Sequence, residues 1–132
     1  MNFSEWQEQV PASITEDPLW QLEVYRQALF LSELAWEDCS TLMRHPLGRP
    51  LAWQLLRSAG SVAANMEEGY GRGFGKEYGR FLRISLGSAR ETRGWYYRSR
   101  HVLRPEVVSH RLNLLQAIIG KLVVVAKQQA NR

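Results

Sequence analysis

The chain has 132 residues, 45% of them hydrophobic, and a formal net charge of +4, enough for one domain with a working core and too short for a second. A lone cysteine, Cys39, excludes an internal disulfide and fits a reducing compartment, where a small packing residue is the plain reading and no chemistry is assigned to it. No run of about 18 apolar residues occurs, and the N-terminus, with Glu5 and Glu8, lacks the basic, apolar and small-residue order of a signal peptide, so a soluble, cytoplasmic protein without membrane contact is expected.

Residues 1–16 show no helical periodicity and contain Pro11, so they read as an N-terminal arm that Phe3 and Trp6 pin to the rest of the chain or to a neighbour. The domain proper is 17–132. Its first helix is predicted from Asp17, an N-cap followed by Pro18, to about Met43. Leu22, Tyr25, Leu29, Trp36 and Met43 form its apolar stripe. The segment RHPLGRP, residues 44–50, is a connection. Pro50 opens a second helix whose buried face is Leu51, Leu55, Leu56, Ala59, Val62, Ala63 and Met66. Gly60, Ser61, Ala63 and Ala64 would let another backbone approach. Gly69, Gly71 and Gly73 close it.

A third helix is predicted over 75–101. Steps of about 100° per residue put Tyr78, Phe81, Leu82, Ser85, Ala89, Thr92 and Tyr96 on one side, with Lys76, Arg80, Arg83 and Arg90 on the other. The chain restarts at Arg104, Pro105 and Glu106. Val108, Leu112, Leu115, Ile118, Ile119, Leu122 and Ala126 then line a fourth helix. With four amphipathic segments, short connections and no strand signal, the expected fold class is all-α, an up-and-down antiparallel four-helix bundle.

The stretch 61–88, SVAANMEEGYGRGFGKEYGRFLRISLGS, matches a pattern close to SIPANIAEGYGRGSKKEFIRFLYIALGS. The shared residues are Ser61, Ala64, Asn65, Glu68, Gly69, Tyr70, Gly71, Arg72, Gly73, Lys76, Glu77, Arg80, Phe81, Leu82, Leu86, Gly87 and Ser88. On these positions the chain resembles the bacterial four-helix-bundle family first met as proteins encoded in intervening sequences of 23S ribosomal RNA. The resemblance extends more weakly over 18–129. It implies the same bundle, a ring-like homo-oligomer that is a pentamer, and an RNA or DNA partner. Through a distant likeness to accessory proteins of diversity-generating retroelements, it also implies a reverse transcriptase as partner. Three departures stand out: Ala63 replaces proline, which should straighten the second helix; Glu67 replaces alanine; and Phe74-Gly75 replace a Ser-Lys that would cap the third helix.

Several chemistries fail on spacing. The run GYGRGFG lacks a glycine five positions before Gly75, has Glu77 where a phosphate loop needs Ser or Thr after the lysine, and follows no strand. None of His45, His101 and His110 has a glutamate three positions ahead, as a di-iron bundle requires. Adjacent Glu67 and Glu68 point about 100° apart and cannot face each other as acid and base; Glu68 is expected either to hydrogen-bond across the hinge or to pair with an arginine such as Arg72. No catalytic, cofactor or metal site is assigned.

Charge carries the functional signal. Residues 1–48 hold eight acidic and two basic side chains, whereas 72–104 hold nine Lys or Arg against Glu77 and Glu91. The candidate nucleic-acid-binding residues are Arg72, Lys76, Arg80, Arg83, Arg90, Arg93 and Arg100, the stripe drifting toward Arg104. Guanidinium forks suit phosphate oxygens, and Gly79, Gly87 and Gly94 thin the bulk of the same side. Tyr97, beside the stripe, is placed to stack on unpaired bases. Two readings stay open: a non-enzymatic oligomer that binds RNA, DNA or a nucleic-acid-processing partner, and a structural assembly module whose arginines pair with Glu23, Glu33, Glu37 or Asp38 of a neighbour. The tryptophans 6, 20, 36, 53 and 95 serve either an interface or the core. A dispersed enzyme site at Glu68, Tyr70 and Arg72 is the remaining reading.

Overall fold

The computed structural model describes residues 1–132. They form six α-helices, two 3-10 turns and no strand: α1 (Phe3–Gln9), α2 (Ala12–Thr15), α3 (Glu23–Leu42), α4 (Arg49–Gly71), α5 (Lys76–Arg98) and α6 (Pro105–Ala130). The long helices pack in chain order, α3 on α4, α4 on α5 and α5 on α6, and α6 also touches α3. One core of 25 buried residues draws on all four.

The N-terminal segment is helical despite its missing periodicity, because local chemistry suffices for one short helix. The Asn2 side chain accepts from the Glu5 N–H and the Glu5 carboxylate accepts from the Asn2 N–H, a reciprocal capping box. Trp6 of α1 is then buried with Phe30 and Leu34 in a small cluster apart from the main core, its ring 5.4 Å from that of Phe30. The single helix expected over 17–43 is broken. Asp17 does cap, accepting from the Leu19 N–H at 2.9 Å, but it caps a 3-10 turn over Pro18–Gln21. Leu22 is extended (φ −84°, ψ 112°), and α3 starts only at Glu23.

The buried stripe of α3 differs from the one read from its largest side chains. Trp36 and Met43 are exposed, by 67% and 39%, whereas Val24, Ala28, Leu31, Ala35, Cys39 and Leu42 are buried. Ala28 and Ala35 bring the backbone of α3 close to α4, where the Ser32 hydroxyl donates to the Ala59 carbonyl at 3.4 Å. Gly60, expected at a close approach, faces open space.

Between α4 and α5 the seam includes small polar side chains. Ser85 Oγ donates to the Val62 carbonyl at 2.6 Å, Ser88 Oγ donates to Ser61 Oγ at 3.0 Å, and the hydroxyls of Ser58 and Thr92 lie 3.0 Å apart. Each hydroxyl finds its partner across the seam, so little desolvation cost is left unmet. Helix α4 is continuous through Ala63, as loss of the proline predicts. It packs so tightly against α5 near its end that a Cβ on Gly69 would stand 2.5 Å from the Phe81 Cβ. The chain reverses through Gly73 and Gly75, both at positive φ (111° and 79°). The Gly75 N–H donates to Gln129 Oε1 at 3.0 Å, tying the turn to the end of α6.

By length and composition α6 could span a bilayer, with mean hydropathy 1.3 over its most apolar 18 residues. Its inner row, Val108, Leu115, Ile118, Leu122 and Ala126, is spent in the core, and it carries a buried arginine, Arg111.

Candidate nucleic-acid interface

Helix α5 begins without a side-chain cap, since Gly75 occupies the N-cap; the cap is weakened as the replaced Ser-Lys predicts. Glu77 in its first turn and Arg98 in its last complement the helix dipole. Tyr78, Leu82, Ser85, Ala89, Thr92 and Tyr96 are buried along one side. Phe81, expected with them, is half-buried, because it slides under two guanidiniums: those of Arg72 and Arg80 stand 5.3 and 4.6 Å from its ring centre.

The structure divides the seven predicted binding residues. Lys76, Arg80, Arg83 and Arg90 are exposed on the outer face of α5, opposite the buried row. Arg80 reaches Glu77 at 2.9 Å, and that contact holds the Glu77 carboxyl below its usual range. Lys76, Arg83 and Arg90 have no carboxylate partner. Arg72 lies at the end of α4, where Nε and Nη2 donate to Glu68 Oε1 at 3.0 and 2.8 Å, as their four-residue spacing predicts. Arg93 turns toward α6. Arg100 sits in the 3-10 turn Ser99–His101; it donates to the Tyr97 carbonyl at 3.0 Å and lies 4.1 Å over the Tyr97 ring.

One residue of the outer face escaped the sequence reading. Arg98 lies at the same angle as Arg80 and stacks on Trp95 at 4.8 Å; about eighteen steps of 100° from Arg80 make five full turns and would have found it. Both acids of α5 are occupied, Glu77 by Arg80 and Glu91 by Arg57 of α4 and by Trp95 Nε1. The outer face therefore presents five cations, Lys76, Arg80, Arg83, Arg90 and Arg98, with Glu77 and Glu91 at its margin. Of the three glycines read on this side, Gly79 serves the fold: a Cβ there would stand 3.3 Å from the Ala130 N of α6, whereas Gly87 faces open space.

Two of the four acids proposed to meet a neighbour's arginines are spent inside the chain. Glu23 pairs with Lys121 at 2.8 Å. Asp38 is buried, accepting from Arg111 Nε at 2.7 Å and from the Tyr96 hydroxyl at 2.7 Å. Sequence spacing gave no sign of this triad, since its members lie on α3, α5 and α6. Glu33 and Glu37 remain exposed beside Trp36, which with Trp53, 65% exposed, flanks an apolar groove of about 140 Å³ floored by Cys39 and Ala52. Of the other tryptophans, Trp6 is buried, and Trp20 and Trp95 are half-buried against the core. At the hinge a recess is lined by Tyr70, Gly73, Phe74, Tyr78, Gln129 and Arg132. Glu68 and Arg72, hydrogen-bonded to each other, do not line it with Tyr70.

A profile of the family described as 23S rRNA-intervening sequence proteins matches residues 20–123. Among solved structures, the chain is similar to a protein of unknown function from the S23 ribosomal protein family of Bacteroides thetaiotaomicron, with a TM-score of 0.73 and 22% identity over 79% of this chain and 98% of that one. The fold is shared. No curated protein matches.

Proposed function

Since the chain belongs to the 23S rRNA-intervening sequence protein family, we propose that it is a non-enzymatic, cytoplasmic four-helix bundle, residues 17–132 with an N-terminal arm, that binds RNA or DNA through the outer face of α5. A nucleic-acid-processing protein such as a reverse transcriptase is the partner it would serve. The observation that carries this reading is the exposed row Lys76, Arg80, Arg83, Arg90 and Arg98, five cations of which only Arg80 is paired to a carboxylate, that of Glu77. Such a row neutralises phosphates and releases counterions, giving affinity that is largely indifferent to sequence and steeply salt-dependent. Filter-binding titrations with RNA and with duplex DNA at two salt concentrations test it. Binding at low salt should be lost in the triple variant R80E/R83E/R90E; no binding at low salt, or an unchanged triple variant, rejects the reading.

Exposed Trp36 and Trp53 support a second element, a ring-like homo-oligomer, a pentamer in this proposal. Two exposed aromatics at one apolar groove resemble an interface core more than a solvated surface. In a closed ring the basic rows repeat by symmetry and their fields add. If the chain is instead only an assembly module, R80E/R83E/R90E should break the oligomer in a sizing column. Under the nucleic-acid reading the oligomer survives that change.

A further inference from the structure

Beside the basic row, α5 and α6 flank an open surface cleft of about 520 Å³ lined by Arg90, Arg93, Gly94, Tyr97, Leu112, Asn113 and Gln116. Its chemistry differs from that of the row. Tyr97 is 55% exposed and is steadied by the Arg100 guanidinium over its ring. Asn113 and Gln116, three residues apart on α6, bring two amides to the opposite wall. Neither amide, and neither Arg90 nor Arg93, has a partner within the chain, and no carboxylate lines the cleft. Gly94 contributes no side chain to the wall, and the space a Cβ would take there is occupied by the Arg98 guanidinium, 2.9 Å away.

We infer that this cleft takes a single unstacked nucleobase together with its flanking phosphate. The base would stack on Tyr97, present its hydrogen-bonding edge to the Asn113 and Gln116 amides, and leave its phosphate to Arg90 and Arg93. An aromatic face accepts any base, and a carboxamide offers both donor and acceptor to a base edge. A base inside a duplex has both faces covered and cannot enter, so the ligand class is single-stranded or looped nucleic acid. The inference rests on the nucleic-acid reading of the α5 face and narrows it: the outer row holds backbone of either form, and the cleft selects the unpaired form.

The test uses the full chain and three probes: a labelled oligouridine, a duplex of equal length, and uridine monophosphate. Tyr97→Leu and the double variant N113A/Q116A should each weaken oligouridine binding about tenfold or more and leave duplex binding unchanged, while R80E/R83E weakens both. Equal oligouridine affinity in wild type and both cleft variants overturns the cleft and leaves the basic row standing. Should neither polymer bind, the mononucleotide decides. Shifts of the Gly94 amide and of the Asn113 and Gln116 side-chain NH₂ resonances on its addition support the cleft without the row, and their absence overturns it. Tyr97, Asn113 and Gln116 are all exposed, so these variants should fold, as circular dichroism checks.

Discussion

Asp38 and Arg111, 73 positions apart in the chain, form a two-pronged buried ion pair: Arg111 Nε donates to Asp38 Oδ2 at 2.7 Å and Nη2 donates to Oδ1 at 3.1 Å. The Tyr96 hydroxyl donates to the same Oδ2 at 2.7 Å; burial first, and then the neighbouring carboxylate, hold its phenol well above the usual range. The triad locks α3, α5 and α6 in one register. Removing one partner of a buried pair strands the other charge, so Asp38→Ala should cost about 3–5 kcal/mol in denaturant unfolding. Tyr96→Phe, which removes one hydrogen bond and keeps the ring, should cost about 1–2 kcal/mol.

Stability should fall in mild acid in part through His110. Burial, and then the positive charge of Arg111, depress its imidazole pKa, with Asp38 opposing weakly. Arg111 Nη1 lies 2.8 Å from His110 Nδ1, a contact that requires an unprotonated nitrogen. With the folded pKa lower than the unfolded one, the unfolded chain binds more protons below about pH 6.5. Stability is therefore constant above that value with respect to this group and drops as pH falls toward the folded pKa. Urea midpoints from pH 8 to 5 should decline more steeply in wild type than in His110→Gln.

Cys39 should resist alkylation. Its thiol donates to the Ala52 carbonyl at 3.2 Å, and burial, with Asp38 adjacent, pushes its pKa up to about 11. At pH 8 the thiolate fraction alone slows reaction with iodoacetamide on the order of a hundredfold relative to a free thiol. Labelling followed by mass spectrometry should accelerate only at denaturant concentrations that unfold the chain.

Replacing Gly69 or Gly75 at the hinge should destabilise the chain, each for a different reason. Gly75→Ala places a side chain at φ 79°, ψ −141°, a region close to glycine-only, and should cost about 1–3 kcal/mol. Gly69→Ala meets the Phe81 Cβ, an atom fixed to the backbone of α5, and should cost about 1–3 kcal/mol through displacement of the two helices. Thermal unfolding of the two variants orders them.

Replacing Trp36 and Trp53 together by serine removes the largest exposed apolar side chains between α3 and α4. Light scattering should then report a lower mass at unchanged helicity. An unchanged mass would place the subunit contact elsewhere.

Amphipathic period, proline and glycine positions and the motif around Gly69–Gly73 were sufficient to read an all-α chain, the family, and the second, third and fourth long helices to within a few residues, because each depends on neighbours in sequence. The outer face of α5 was legible for the same reason, a helix of known pitch placing Lys76, Arg80, Arg83 and Arg90 together. Side chains whose role depends on distant partners were not. Trp36 and Met43 fit an apolar stripe, yet the close approach permitted by Ala28 and Ala35 turned them outward. Asp38 looked like surface charge until Arg111 and Tyr96 arrived from two other helices, and the cleft of Tyr97, Asn113 and Gln116 exists only where α5 meets α6. Local periodicity fixes which face of a helix is apolar; the packing of helices against one another decides which of its polar groups are consumed and which are left to meet a ligand.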